Sequence, residues 1–464
     1  MMGDHLERKY GLFTAICMVV GIVIGSGVFF KAQTIQTQTG GNMPMGILAW
    51  IIGGMIMMAC LLTFSVMGQR YERVNGLIDY AEATVGSGYG YLMGWFCATI
   101  YFPGMTSALI WVSARYTMDF ILTLAPDLPM LIPPSRGGTA IGPECVALAL
   151  FYLCGIYALN VISPERAGRF QTGTTVVKLI PLLLMAVGGV FCGLRSGMLQ
   201  ENWTASAQLA SVTDRPLLSS VCSAAFAYEG WIIATAINAE IKDSRKNLPL
   251  ALAVGGIVIV GVYLLYYLGI AGGATNQELM DRGAQVAFTN VFGSTFGNGL
   301  NLVVAISCLG TTNGLMLACT RCMYALAERG EGPDPELYSQ LDKVTNMPSN
   351  SSVFALLVTG VWFLYFYLSN LARTWSGPFV FDSTELPVIS VYMMYLPMLV
   401  QWMRKERDQS ALRRFVLPGL ACCGSVFMVF ACVFSHGWGC LWYLIVFAVI
   451  MAIGVVVNES HNRL

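Results

Sequence analysis

Residues 19–30 read Val-Val-Gly-Ile-Val-Ile-Gly-Ser-Gly-Val-Phe-Phe, which sets Gly21, Gly25, Ser26 and Gly27 inside an apolar run at 11–36. A segment crossing hydrocarbon has to satisfy every backbone N–H and C=O, so an unbroken helix is the default. Glycine loses the most chain entropy on ordering and weakens the helix at that depth. Non-helical backbone persists there only where it is buried in protein or lines a watery cavity, and there its amides and carbonyls can hold a solute. The run points to a carrier of small solutes.

Composition agrees. The chain is 56% hydrophobic and 11% charged, against ~25% charged in soluble domains, and its mean hydropathy is +0.64. The formal net charge of zero leaves no case for nucleic-acid binding. The 14 cysteines lie mainly in or beside apolar runs, where a thiol is a small hydrophobe. Cys319 and Cys322 have CxxC spacing without a partner pair, so no metal, cofactor or disulfide framework is expected. Met1–Tyr10 is polar and leads into a long span, a pattern without a cleavable signal.

Twelve runs are long enough to cross a bilayer: 11–36, 46–67, 88–122, 144–162, 173–194, 216–239, 249–272, 296–327, 352–370, 378–402, 415–435 and 438–457. One side carries most of the basic residues, among them Arg8, Lys9, Arg70, Arg166, Lys242 and Arg404; the other carries Lys31, Arg136, Arg195, Arg215, Arg282 and Arg373. That bias makes both termini, 1–9 and 458–464, cytoplasmic, as expected for a plasma (inner) membrane protein. Asn202-Trp203-Thr204 is a glycosylation sequon in the outer loop 195–215.

The sixth run has its own interruption, Phe226-Ala-Tyr-Glu-Gly-Trp231, five spans after the first. Matched breaks are the mark of inverted repeats that enclose a central site. Small residues also pack helices together, but a carboxylate at the second break favours a site. The expected fold is an all-α integral membrane protein of twelve transmembrane helices. Two five-span repeats, 10–195 and 216–402, have spans 1 and 6 broken, and 415–457 supplies two appended spans.

These motifs resemble the amino acid–polyamine–organocation superfamily. Gly21-Ile-Val-Ile-Gly-Ser-Gly-Val-Phe29 is similar to its first-span signature. Phe226–Trp231 with Glu240-Ile-Lys-Asp-Ser-Arg-Lys-Asn-Leu-Pro249, and Ser307–Gly314 with Gly330-Glu-Gly-Pro333, are similar to its L-type amino acid transporter branch. The resemblance implies five-plus-five inverted repeats and alternating access. Val66-Met67-Gly68, Ser244 and Glu229 depart from the branch pattern, Glu229 with most consequence because its place borders substrate. No cysteine lies in loop 123–143, so no disulfide-linked heavy subunit is expected, and a stand-alone monomer is favoured.

A free amino acid presents a carboxylate and an ammonium. Amides at a restarted helix face an anion, and carbonyls ending a half-helix face a cation. With the resemblance, this assigns the amides around Ser26 and Gly27 to the carboxylate. The carbonyls of Val23, Phe226, Ala227 and Glu229 take the ammonium, and Gly25 and Tyr228 complete the candidate pocket within the same motifs. Phe226 is the candidate lid. Lys178 is a charge inside span 5, costing ~2.5–3.5 kcal/mol to insert. By resemblance its ammonium replaces a sodium ion and ties span 1 to span 5; a snorkelling lysine is the alternative. Glu229 can pair as a carboxylate with a cation, donate as an acid, carry a coupling proton, or bond freed amides.

Thr311, Thr312 and Asn313 in span 8 line the pocket, tether span 1 or bond helix to helix. Arg115 and Asp119 pair one turn apart. Glu240 caps an inner gate, and Asp382 and Glu385 face an outer vestibule near Trp375 and Phe379. With three histidines, at a terminus or in a loop, no hydrolase constellation lies in a span and an enzyme is not expected. The resulting expectation is sodium-independent exchange of neutral amino acids. A proton-coupled symporter using Glu229 and a non-transporting sensor are the alternatives.

Overall fold

A computed structural model of the chain describes residues 11–25, 27–71, 76–131, 142–205, 215–234, 242–372, 374–375 and 377–461. Among these, every regular element is helical. The principal helices are α1 Leu12–Val23, α2 Gly27–Gln38, α3 Met43–Arg70, α4 Ser87–Leu124, α5 Pro143–Ile162, α6 Pro164–Ser196 and α7 Pro216–Tyr228. They continue with α8 Ser244–Gly273, α9 Ser294–Ala327, α10 Ser349–Leu371, α11 Glu385–Lys405, α12 Leu412–His436 and α13 Trp438–His461. Ten of these, α3–α6 and α8–α13, are long and apolar enough to cross a membrane. The chain is a multi-pass membrane protein.

The helix starts follow from sequence. α3, α5, α6 and α7 each have proline in the first turn, where its missing N–H costs nothing, and Asn42 caps α3 by accepting the Met45 N–H at 3.0 Å. Two expected starts move furthest. Span 5 begins at Pro164, nine residues before 173, because Ser163-Pro164 starts the helix in the preceding polar segment. The tenth begins at Glu385 and not at 378, because Asp382 accepts the N–H of Thr384 at 2.7 Å and of Glu385 at 2.9 Å and ends the loop there.

Within its most apolar stretch, α4 is buried along its whole length, whereas α13 is 17% and α5 28% buried. α4 is therefore the central column and α5 and α13 lie at the periphery. α6 and α8 cross backbone to backbone. A Cβ on Gly189 would overlap the Gly269 carbonyl, and one on Gly269 would overlap that of Met185. Such small-residue crossings gain van der Waals contact that lipid tails cannot supply to larger side chains.

The sequon is not an available surface. Asn202 is 2% exposed, its amide donates to Ala271 O at 2.6 Å and Ala274 O at 2.8 Å, and its Oδ1 accepts the Asn276 N–H at 2.9 Å. A glycan there would displace a buried amide from three bonds, so the folded chain excludes it.

Gly269→Leu is expected to abolish the monodisperse detergent-extracted protein, since overpacking an interior contact costs ~1–3 kcal/mol or more. Gly155→Leu, at a position facing open space, is expected to leave the size-exclusion profile unchanged. Equal behaviour of the two variants would contradict the crossing.

Candidate functional site

The two interrupted helices meet at their breaks. α1 ends at Val23, and Ile24 turns out of the helix while its N–H still donates to Val20 O at 2.9 Å. α2 restarts at Gly27; Ser26 lies outside the described residues. α7 ends at Tyr228, and Glu229 becomes extended, its N–H donating to Phe226 O at 3.2 Å. Gly230 then takes φ 104°, which side chains avoid, to turn the chain into Trp231–Ala234. A Cβ on Gly27 would sit 2.9 Å from Ala227 Cα, so the restart of one helix rests on the end of the other.

Tyr263, on α8, holds this junction. Its hydroxyl lies 3.1 Å from Val23 O and 3.0 Å from Ala227 O and takes a hydrogen bond from the Gly25 amide. One hydroxyl hydrogen shared by two carbonyls leaves both with acceptor capacity. Tyr228 contributes its backbone at this point. Its side chain packs elsewhere, the hydroxyl donating to Trp50 O at 3.1 Å and the ring stacked on Tyr263 at 5.0 Å.

Glu229 is 7% exposed. Its Oε1 accepts from the Tyr101 hydroxyl, and its Oε2 has no hydrogen-bond partner among the described residues. Tyr101 ends a π-helical turn, Cys97–Tyr101, in the middle of α4. The wider turn inserts a residue and re-aims the side chains that follow. Phe226 is 4% exposed and packs edge to face on Phe30 at 5.7 Å.

Lys178 is 1% exposed, and its Nζ donates to Gly21 O at 2.7 Å, a direct bond from α6 to α1 just before the first break. With α6 starting at Pro164, Lys178 stands about four turns into its helix. Thr311 is placed beside the same break: a Cβ on Gly25 would lie 3.2 Å from its Oγ1, which donates within α9 to Ser307 O at 3.1 Å. Asn313 ties α9 to neighbouring helices. It donates to Ala167 O at 3.2 Å and Gln171 Oε1 at 3.1 Å, and accepts from Asn160 at 3.0 Å.

Arg115 Nε is 3.9 Å from Asp119 Oδ2. Glu385 does not face an open vestibule; it is 4% exposed, whereas Trp375 and Phe379 lie at the surface. Glu240 lies outside the described residues.

Residues 10–456 match the amino acid permease family. The chain belongs to that family. It is 26% identical over 447 residues to the serine/threonine exchanger SteT of Bacillus subtilis, covering 94% of each chain. It is 24% identical over 359 residues to the large neutral amino acids transporter small subunit 2 of Rattus norvegicus, covering 75% of this chain and 63% of that one. With the cystine/glutamate transporter of Homo sapiens it shares 23% over 348 residues, 74% of this chain and 66% of that one. The permease thus spans about two thirds of the length of these two mammalian relatives.

Sequence reading of the permease missed Tyr263 and Tyr101. A tyrosine in an apolar helix carries no signal that separates packing from a buried hydroxyl contact. Tyr263→Phe removes the partner of one amide and two carbonyls, a loss of ~1–3 kcal/mol at buried groups. Uptake of a labelled amino acid mixture by reconstituted Tyr263→Phe protein is expected to fall about tenfold or more. Wild-type uptake would leave Tyr263 with packing alone.

Proposed function

We propose that this permease exchanges neutral amino acids across the plasma (inner) membrane by alternating access and without sodium. The carrying observation is the direct contact of the two helix breaks at Gly27 and Ala227 under one Tyr263 hydroxyl. Counting each broken helix as one span with the ten long helices makes twelve. These form five-plus-five repeats at 10–195 and 216–402, two appended spans at 415–457, and cytoplasmic termini at 1–9 and 458–464. The protein works as a stand-alone monomer.

In this reading the amides around Ser26 and Gly27, at the start of α2, bind the substrate carboxylate. The carbonyls of Val23, Phe226, Ala227 and Glu229 receive the ammonium, and Phe226 closes over the bound molecule. Glu229 borders the side-chain end of the pocket, where its carboxyl group disfavours acidic substrates. The Lys178 ammonium on Gly21 O does the work a sodium ion would do between spans 1 and 5, and separating these spans requires breaking that bond. The likeness to the serine/threonine exchanger of Bacillus subtilis supports small neutral substrates.

Proteoliposomes loaded with unlabelled amino acids are expected to take up label many-fold faster than empty ones, equally in sodium and potassium buffer. Uptake into empty vesicles driven by an inward proton gradient would replace exchange with symport through Glu229. Binding without flux would make the protein a sensor. Lys178→Ala is expected to retain substrate binding by thermal shift while exchange drops more than about tenfold, because one buried charge-assisted bond of ~1.5–3 kcal/mol is lost from the moving contact. Unchanged exchange would remove Lys178 from the mechanism.

A further inference from the structure

We propose that Lys31 and Glu385 are a positioning pair that clamps Phe226 in its closed place, so that this mouth of the site opens by separating a buried ion pair. The proposal rests on the reading of Phe226 as the lid. Lys31 lies on α2, four residues beyond Gly27, and its Nζ is 2.5 Å from Glu385 Oε1 on α11. The two side chains are 8% and 5% exposed. Ser223, on α7, donates to the same Oε1 at 2.7 Å. The Lys31 Nζ also stands 4.7 Å from the centroid of the Phe226 ring, within the range of a cation–π contact.

Ser223 and Phe226 are three residues apart on α7 and so share a face. One carboxylate therefore gathers both half-helices that border the breaks. It holds α2 through the ammonium and α7 through the hydroxyl, with the Phe226 ring under the ammonium. His436 closes the fourth side from α12, its Nε2 3.5 Å from Glu385 Oε2. Asp382, next along, spends its Oδ1 capping α11.

The energetics suit a contact that is made and broken. A buried ion pair roughly balances desolvation against attraction, so it can part cheaply if water reaches both charges together. Removing one partner is different, because the other charge is left buried and uncompensated. The pair therefore holds the mouth closed while water is excluded, parts at low cost once both charges are hydrated together, and is intolerant of single substitution.

The test uses full-length reconstituted permease with K31M, E385Q, K31R and the exchanged pair K31E/E385K. Cys222, 1% exposed on α7 beside Ser223, reports opening when its alkylation by a membrane-impermeant maleimide is followed by peptide mass spectrometry. K31M and E385Q are expected to speed Cys222 labelling about tenfold and to raise KM for substrate on that side several-fold, with a smaller change in KM from the opposite side. K31R is expected to keep labelling slow, and the exchanged pair to restore part of the protection. Labelling unchanged in both single variants, in protein that still elutes as a single species, overturns the clamp. So does acceleration that K31R shares equally. The labelling does not depend on transport, so a wild-type protein that proves not to exchange leaves this result to be judged by itself.

Discussion

A phenol hydroxyl wedged between Val23 O and Ala227 O, and accepting from the Gly25 amide, answers the central difficulty of this chain. Two helices end in the protein interior, where no solvent can satisfy their ends. Their contact requires glycine at 27, a backbone end at 227 and a long side chain reaching in from a third helix. Much of the surrounding packing follows from that need. α8 has to pass close to both breaks, and its glycine crossing with α6 lets it do so while α6 brings Lys178 to Gly21. The breaks are thus part of an arrangement of several helices and not local defects.

Ionisable side chains within the helices obey the same rule by other means. Lys178 ends on a carbonyl, Glu229 on a phenol and Lys31 on a carboxylate, each from a different helix. Each of these buried groups therefore fixes the relative position of two helices. A carrier that changes shape has to exchange some of these partners for water or substrate. The contacts that join half-helices to the surrounding bundle are the ones placed to do so.

The sequence exposes violations well and satisfactions poorly. Glycines at 21, 25 and 27, a carboxylate at 229 and a lysine at 178 contradict an apolar helix, so their importance is visible in one dimension. Tyr263 and Tyr101 contradict nothing; only the fold shows that their hydroxyls meet opened backbone and a carboxylate. Lys31 read as a charge on one side of the membrane because its partner is 354 residues away. The start of the tenth helix was misplaced because Phe379 and Phe381 extend the apolar run through a loop that the Asp382 cap terminates. Asn202 matches a surface motif, yet three hydrogen bonds keep it inside.

The uneven burial of the helices also decides how the protein meets membranes of different thickness. α4, 38 residues long, extends to ~57 Å at 1.5 Å per residue, far beyond a ~30 Å hydrocarbon core. Its most apolar stretch is buried within the bundle, so the mismatch falls on its exposed ends, Leu124 among them. α13, the most lipid-exposed helix, offers 22 residues of span, ~33 Å, close to the core thickness. Thinning or thickening the bilayer therefore loads the rim, where α5 and α13 can tilt, and leaves the column that carries Tyr101 at a constant depth.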